Sequence, residues 1–148
     1  PDGQPLTLVD DTYNANPDSM RAAIDVLAAL PAPHLLVLGD MGEVGNQGPQ
    51  FHAEIGAWAA TRGIECVYAL GTESSNSVQA FAAESMGAGE SRHFDNEQIE
   101  ALNDAVRARL PHVSSVLVKG SRFMKMERVV QAIAAHIQNN DSEEAGHA

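Results

Sequence analysis

Cysteine is almost missing from this sequence: Cys66 is the only one in 148 residues, which excludes an intrachain disulfide and any zinc site built on cysteines. It stands in the apolar run Ile64-Glu65-Cys66-Val67-Tyr68, so a buried, inert thiol is expected and redox chemistry is not. Long apolar stretches are also missing. No run approaches the roughly 18 to 20 residues a membrane-spanning helix needs, and Pro1-Asp2-Gly3-Gln4 has neither the basic region nor the apolar stretch of a signal peptide. The expectation is a cytoplasmic protein with no membrane partner. Basic residues are scarce, 9 against 20 acids for a net charge of -11, and that balance repels a phosphate backbone and excludes nucleic acid as a partner. No G-x-x-x-x-G-K-[ST] phosphate loop, serine nucleophile elbow or metal-spaced histidine pair occurs. The chain therefore has no visible means of holding and transferring an ATP γ-phosphate, and neither a catalytic residue nor a metal ligand is assigned.

What is present is 44% hydrophobic residues, enough for one core in a chain of this length. Five short β-rich runs alternate with longer segments of helical period. The runs are Leu6 to Val9, Leu35 to Leu38, Ile64 to Leu70, a weak one around Arg92-His93-Phe94, and Val113 to Val118. Several are apolar at consecutive positions, the mark of parallel strands covered on both faces. Between them, Met20, Ala23, Ile24 and Leu27 define a helix over 17–30, with Asn16 as its cap and Pro17 in its first turn. Further helices are expected over 50–62 (Phe51, Ile55, Trp58), 74–86 (Val78, Phe81, Ala82), 96–109 (Ile99, Leu102, Val106) and about 122–138, where the stripe is Phe123, Met126, Val129, Val130, Ile133 and Ile137. The predicted fold is an α/β, Rossmann-like three-layer domain over 1–138 with a mostly parallel sheet flanked by helices. Residues 139–148 read as a flexible acidic tail.

Ligands of such sheets bind beyond the carboxyl ends of the strands, so the loops there carry the functional reading. After the first strand comes Asp10-Asp11-Thr12-Tyr13-Asn14-Ala15-Asn16-Pro17. Asp10 and Asn16 each suit an ordinary turn or cap, whereas Asp11, Tyr13 and Asn14 exceed what one strand-to-helix turn needs; together they can bind ribose hydroxyls, amide edges and an aromatic plane. After the second strand, Gly39, Gly42 and Gly45 lack dinucleotide spacing. Asp40 and Glu43 there fit an ammonium group or a metal-bound water no better than they fit solvent, and His52 reads as a surface or partly buried residue rather than a base. After the last strand, Lys119-Gly120-Ser121-Arg122 opens a window holding four of the nine basic residues. Gly120 would let a ligand approach the backbone, and the N-terminus of the following helix would favour a phosphate or carboxylate. The same pattern also suits a solvated lysine turn with snorkelling side chains.

The strings DDTYNANPDSM (10–20), LGDMGEVG (38–45) and VKGSR (118–122) with Met126-Glu127 closely resemble the C-terminal domain of the Mur ligase family, in the branch that joins D-alanyl-D-alanine to UDP-N-acetylmuramoyl-tripeptide. The resemblance covers about residues 6–137. It implies a peptidoglycan-precursor ligase of three domains, in which an N-terminal domain and a central ATPase domain are the partners of this one. ATP and Mg2+ would serve the whole enzyme, neither tightly held here, and this piece would be inactive alone. By the same resemblance, Asp11, Tyr13, Asn14 and Asn16 would lie against the nucleotide, and Lys119, Ser121, Arg122, Asp40 and Glu43 near the incoming dipeptide. The family carries a further strand just upstream, and Pro1-Asp2-Gly3-Gln4 is similar to the turn that follows it. The alternatives are a small-anion-binding module and a phospho-receiver domain, which shares the acidic pair and the final lysine; its aspartate acceptor is missing at Ala69-Leu70-Gly71-Thr72.

Overall fold

The first strand, β1 (Thr7–Asp11), ends in the acidic pair and pairs in parallel with the last, β5 (Ser115–Lys119), bringing the two ends of the sequence side by side. The computed structural model describes residues 5–13, 15–42 and 44–147, with side chains to residue 140. Three further strands, β2 (His34–Gly39), β3 (Cys66–Leu70) and β4 (Glu90–Phe94), complete a five-stranded sheet of order β1-β5-β2-β3-β4 in which every ladder is parallel. Strands β2, β3 and β5 are buried along their whole length. This is the physical reason for their unbroken apolar runs, since helices cover both faces.

Among the described residues five α-helices make those layers: α1 (Pro17–Ala29), α2 (Gly48–Thr61), α3 (Ser75–Glu84), α4 (Ile99–Arg109) and α5 (Glu127–His147). One core joins Leu36, Leu38, Val67, Ala69 and Leu117 of the sheet to Met20, Ile24, Leu27, Ile55 and Phe81 of α1, α2 and α3. The other joins Leu35, Val37, Tyr68, Val116 and Val118 to Leu102, Val106, Val129 and Ile133 of α4 and α5. The expected Rossmann-like three-layer α/β fold is therefore present. Asn16 caps α1 as expected: its Oδ1 accepts the Ser19 amide at 2.9 Å and the Ser19 hydroxyl accepts the Asn16 amide at 3.0 Å, a reciprocal cap of about 1 kcal/mol. Burial pushes the Cys66 thiol up to about 11, so it remains an inert thiol at neutral pH.

The last helix departs from the sequence reading. Periodicity starts it near 122, but Arg122–Met124 form a three-residue 3-10 turn, Lys125 takes a left-handed conformation (φ 54°), and the α-helix begins at Glu127. Phe123 thereby leaves the apolar stripe and is 64% exposed, while Met126 is fully buried. At its other end α5 runs on to His147, past residue 138 where the sequence reading ends it. Ala82, assigned to the buried face of α3, is exposed.

Candidate functional site

The strand order creates a topological switch at β5. Its neighbours β1 and β2 lead into α1 and α2 on one face, whereas β5 leads into α5 on the other. Loops that part in this way leave the crevice in which open α/β sheets bind ligands. Asp11, Asp40 and Lys119 all lie at this edge, because Asp11 and Lys119 are register partners at the ends of parallel strands and Asp40 directly follows β2.

The β2 side of the crevice is filled by the fold itself. A Cβ on Gly120 would meet Met126 Cγ at 2.7 Å, and one on Gly39 would meet Met126 Cγ and Sδ at 2.8 Å. The two glycines thus admit a core methionine, whose burial contributes roughly 2 kcal/mol, and Gly120 does not open the backbone to a ligand. Ser121 is also engaged, since its amide and hydroxyl both donate to the Asp40 carbonyl, at 3.1 and 2.8 Å. The helix N-terminus expected directly after Lys119 is not there: the Ser121 amide is taken, a short 3-10 turn follows, and α5 opens later with an acid, Glu127. Asp40, 7% exposed, accepts the amides of Glu73 at 3.2 Å and Ser74 at 2.8 Å, so its carboxylate serves the start of α3. Gly71 makes room for it, with φ 119° and Asp40 Oδ1 2.5 Å from where a Cβ would stand.

His52 is the residue sequence reasoning missed. It is 1% exposed rather than at the surface; its Nε2 accepts the Met41 amide at 2.9 Å while Nδ1 donates to the Gly48 carbonyl at 2.6 Å. These partners fix which ring nitrogen donates and which accepts. The ring pins both ends of the loop after β2, an arrangement that a lone histidine on a helix gives no sequence signal for. His52→Ala should cost about 2 kcal/mol, from two lost buried hydrogen bonds and the space left behind. Urea unfolding should show a lower midpoint at unchanged slope.

The β1 side of the crevice is where the remaining residues meet. Lys119 Nζ lies 2.8 Å from Asp11 Oδ2, with side-chain exposures of 2% and 39%. Above them, the Arg122 guanidinium sits 5.5 Å from the centre of the Tyr13 ring, a cation–π pair at an exposed site. Tyr13 is 74% exposed and offers a broad aromatic face to solvent. Asp10 Oδ1 accepts the Thr12 amide and hydroxyl at 3.3 and 2.8 Å, which makes it the turn residue of the loop. Asn16 belongs to the α1 cap. Asn14, Glu43 and the turn at residues 1–4 lie outside the described residues. The structure thus brings Asp11, Tyr13, Lys119 and Arg122 together and places Asp40 and Ser121 in the supporting wall.

Known proteins share both the sequence and the fold of this chain. A family model described as Mur ligase, glutamate ligase domain, matches residues 1–122. The UDP-N-acetylmuramoyl-tripeptide–D-alanyl-D-alanine ligase of Escherichia coli (strain K12) is 37% identical over 126 residues, which are 85% of this chain and 26% of that protein. Among solved structures, MurF from Acinetobacter baumannii superposes with a TM-score of 0.69 at 32% identity, over 86% of this chain and 28% of that one. MurF ligase from Thermotoga maritima in complex with ADP gives a TM-score of 0.68 at 25% identity, over 90% of this chain and 29% of that one. The chain spans about a quarter of the length of the relatives it matches. The phospho-receiver alternative does not survive, because the receiver strand order 2-1-3-4-5 is not the order found here.

Proposed function

The chain belongs to the Mur ligase family, as its glutamate ligase domain, and from that premise we propose that it is the C-terminal domain of an ATP-dependent ligase joining D-alanyl-D-alanine to UDP-N-acetylmuramoyl-tripeptide. The observation that carries the reading is the convergence of the loops after β1 and β5 on one switch-point crevice, through Asp11–Lys119 and Tyr13–Arg122. The Asp11 carboxylate suits ribose hydroxyls, and the exposed Tyr13 ring suits a base plane, with Asn14 and Asn16 completing the nucleotide loop. On the acceptor side Arg122 is exposed and can meet the dipeptide carboxylate in a forked, charge-assisted contact. Asp40 and Ser121 set the shape of that wall, and we assign Glu43 to dipeptide binding on the family resemblance alone.

In this scheme the central ATPase domain, a partner along with the N-terminal domain, supplies the phosphate loop that these 148 residues lack. The tripeptide carboxylate becomes an acyl phosphate there, and the free amine of the dipeptide attacks it. This domain contributes orientation: holding the carboxylate end of the dipeptide aims its amine, and closure over the crevice keeps water from the acyl phosphate. Among the described residues no three His, Cys, Asp or Glu side chains converge as metal ligands, so the scheme assigns Mg2+ to the ATP and the central domain. No helix of the described residues is long and apolar enough to cross a membrane. A cytoplasmic setting, where ATP and UDP-linked precursors are found, fits the scheme. We assign residues 1–138 to the Mur ligase C-terminal domain and 139–148 to an acidic tail.

The test is phosphate release by the full-length protein that carries this domain. Release should require ATP, D-alanyl-D-alanine and the UDP-linked tripeptide together, whereas residues 1–148 alone should release none. Release that ignores the dipeptide, or ATP hydrolysis by the 148-residue piece, would overturn the proposal.

A further inference from the structure

Lys119 is out of place as an anchor for an incoming carboxylate. It is 1% exposed and among the largest fully buried side chains of the protein, and its ammonium reaches across the ladder to β1 instead of out of the crevice. Ligand recognition by a lysine needs an ammonium that an arriving molecule can reach, and burial of this kind withdraws it. The ammonium donates to Asp11, its register partner, at 2.8 Å. With Oδ2 held and the side chain still 39% exposed, Asp11 keeps one oxygen in a defined direction for a hydroxyl outside. The second link between the same two loops, Arg122 over Tyr13, acts on the other ligand-facing residue of the β1 loop.

We propose that Lys119 is a positioning residue for nucleotide binding: it orients the Asp11 carboxylate toward the ribose from the β5 side, and the two residues act as one unit. The inference rests on the reading that Asp11 meets the nucleotide, and it reassigns Lys119 within that reading from the dipeptide to the nucleotide. It also has a thermodynamic corollary. Because β5 leads directly into the acceptor loop, a ligand that shifts Lys119 changes nucleotide affinity, and a nucleotide that fixes Asp11 changes the affinity for that ligand by the same factor.

The experiment titrates ADP into the full-length ligase and its Asp11→Asn, Lys119→Met and doubly substituted variants, and measures the KM for D-alanyl-D-alanine in each. Methionine matches the buried stem of lysine; should that variant fail to fold, Lys119→Gln is read in the same way. Each single substitution should raise the ADP Kd about tenfold, and the double variant should bind no more weakly than the weaker single one. The dipeptide KM should stay within about twofold, a split that loss of structure alone would not produce. If Asp11→Asn weakens ADP but Lys119→Met does not, or if Lys119→Met raises the dipeptide KM instead, the positioning role is overturned and the nucleotide loop stands. If neither single variant weakens ADP, the assignment of the β1 loop to nucleotide falls, and the role of Lys119 with it.

Discussion

Gly56→Ala should destabilise this protein by more than about 4 kcal/mol, beyond the ordinary range for a single added methyl group. Gly56 lies in α2 where that helix crosses α3, and a Cβ built there lands on the carbonyl oxygen of Ser77, with the Ser77 carbonyl carbon at 2.7 Å and its Cα at 2.8 Å. Every atom it meets is backbone, so no rotamer change relieves the clash and the helices must separate. The Ser77 hydroxyl, which donates to the His52 carbonyl at 2.6 Å, would be displaced in the same movement, loosening the peg under the β2 loop. Thermal unfolding is the measurement: a midpoint lowered by less than a few degrees would mean that α2 and α3 are further apart than described here.

The second large effect is an asymmetry in stability. Asp11→Ala removes the carboxylate beside a lysine that is 1% exposed, and taking one partner from a buried pair costs about 3 kcal/mol. Lys119→Met removes the charge from the buried side and leaves an aspartate that, at 39% exposure, remains hydrated; it should cost about 1 kcal/mol or less, since methionine fills a similar volume. Combining the two should restore most of what Asp11→Ala loses. Chemical denaturation of the four proteins decides the matter. Equal losses for the two single variants would mean that Lys119 is well solvated and that the pair is an ordinary surface contact.

These two cases show what the amino-acid sequence makes legible. All five strands and all five helices could be read, because a buried parallel strand needs consecutive apolar residues and a covering helix needs a one-sided stripe; His34–Gly39 and the Met20-Ala23-Ile24-Leu27 face are examples. Strand order could not, since periodicity reports that a strand exists and not which strand lies beside it. That is why β5 between β1 and β2, and with it the Asp11–Lys119 pair, came only from the structure. Asp40 shows the same limit: its partners Glu73 and Ser74 lie more than thirty positions away. The start of α5 was misplaced for a local reason, because Phe123 continues the apolar period although a left-handed Lys125 separates it from the helix. Asn16 and Asp10 followed the plain capping and turn rules, which depend on near neighbours alone.

Among the described residues β1 is bonded to one neighbour only, and its positions are half-buried or exposed where β2, β3 and β5 are closed on every side. The strand that delivers Asp11 is thus, like β4 at the other edge, one whose amides are released by opening a single ladder, while β5 is held by two. Local opening in such a sheet starts at its edge strands. A ligand bridging β1 and β5 would act as a clasp on that strand, so part of its binding energy would be spent in slowing amide exchange along Thr7–Asp11.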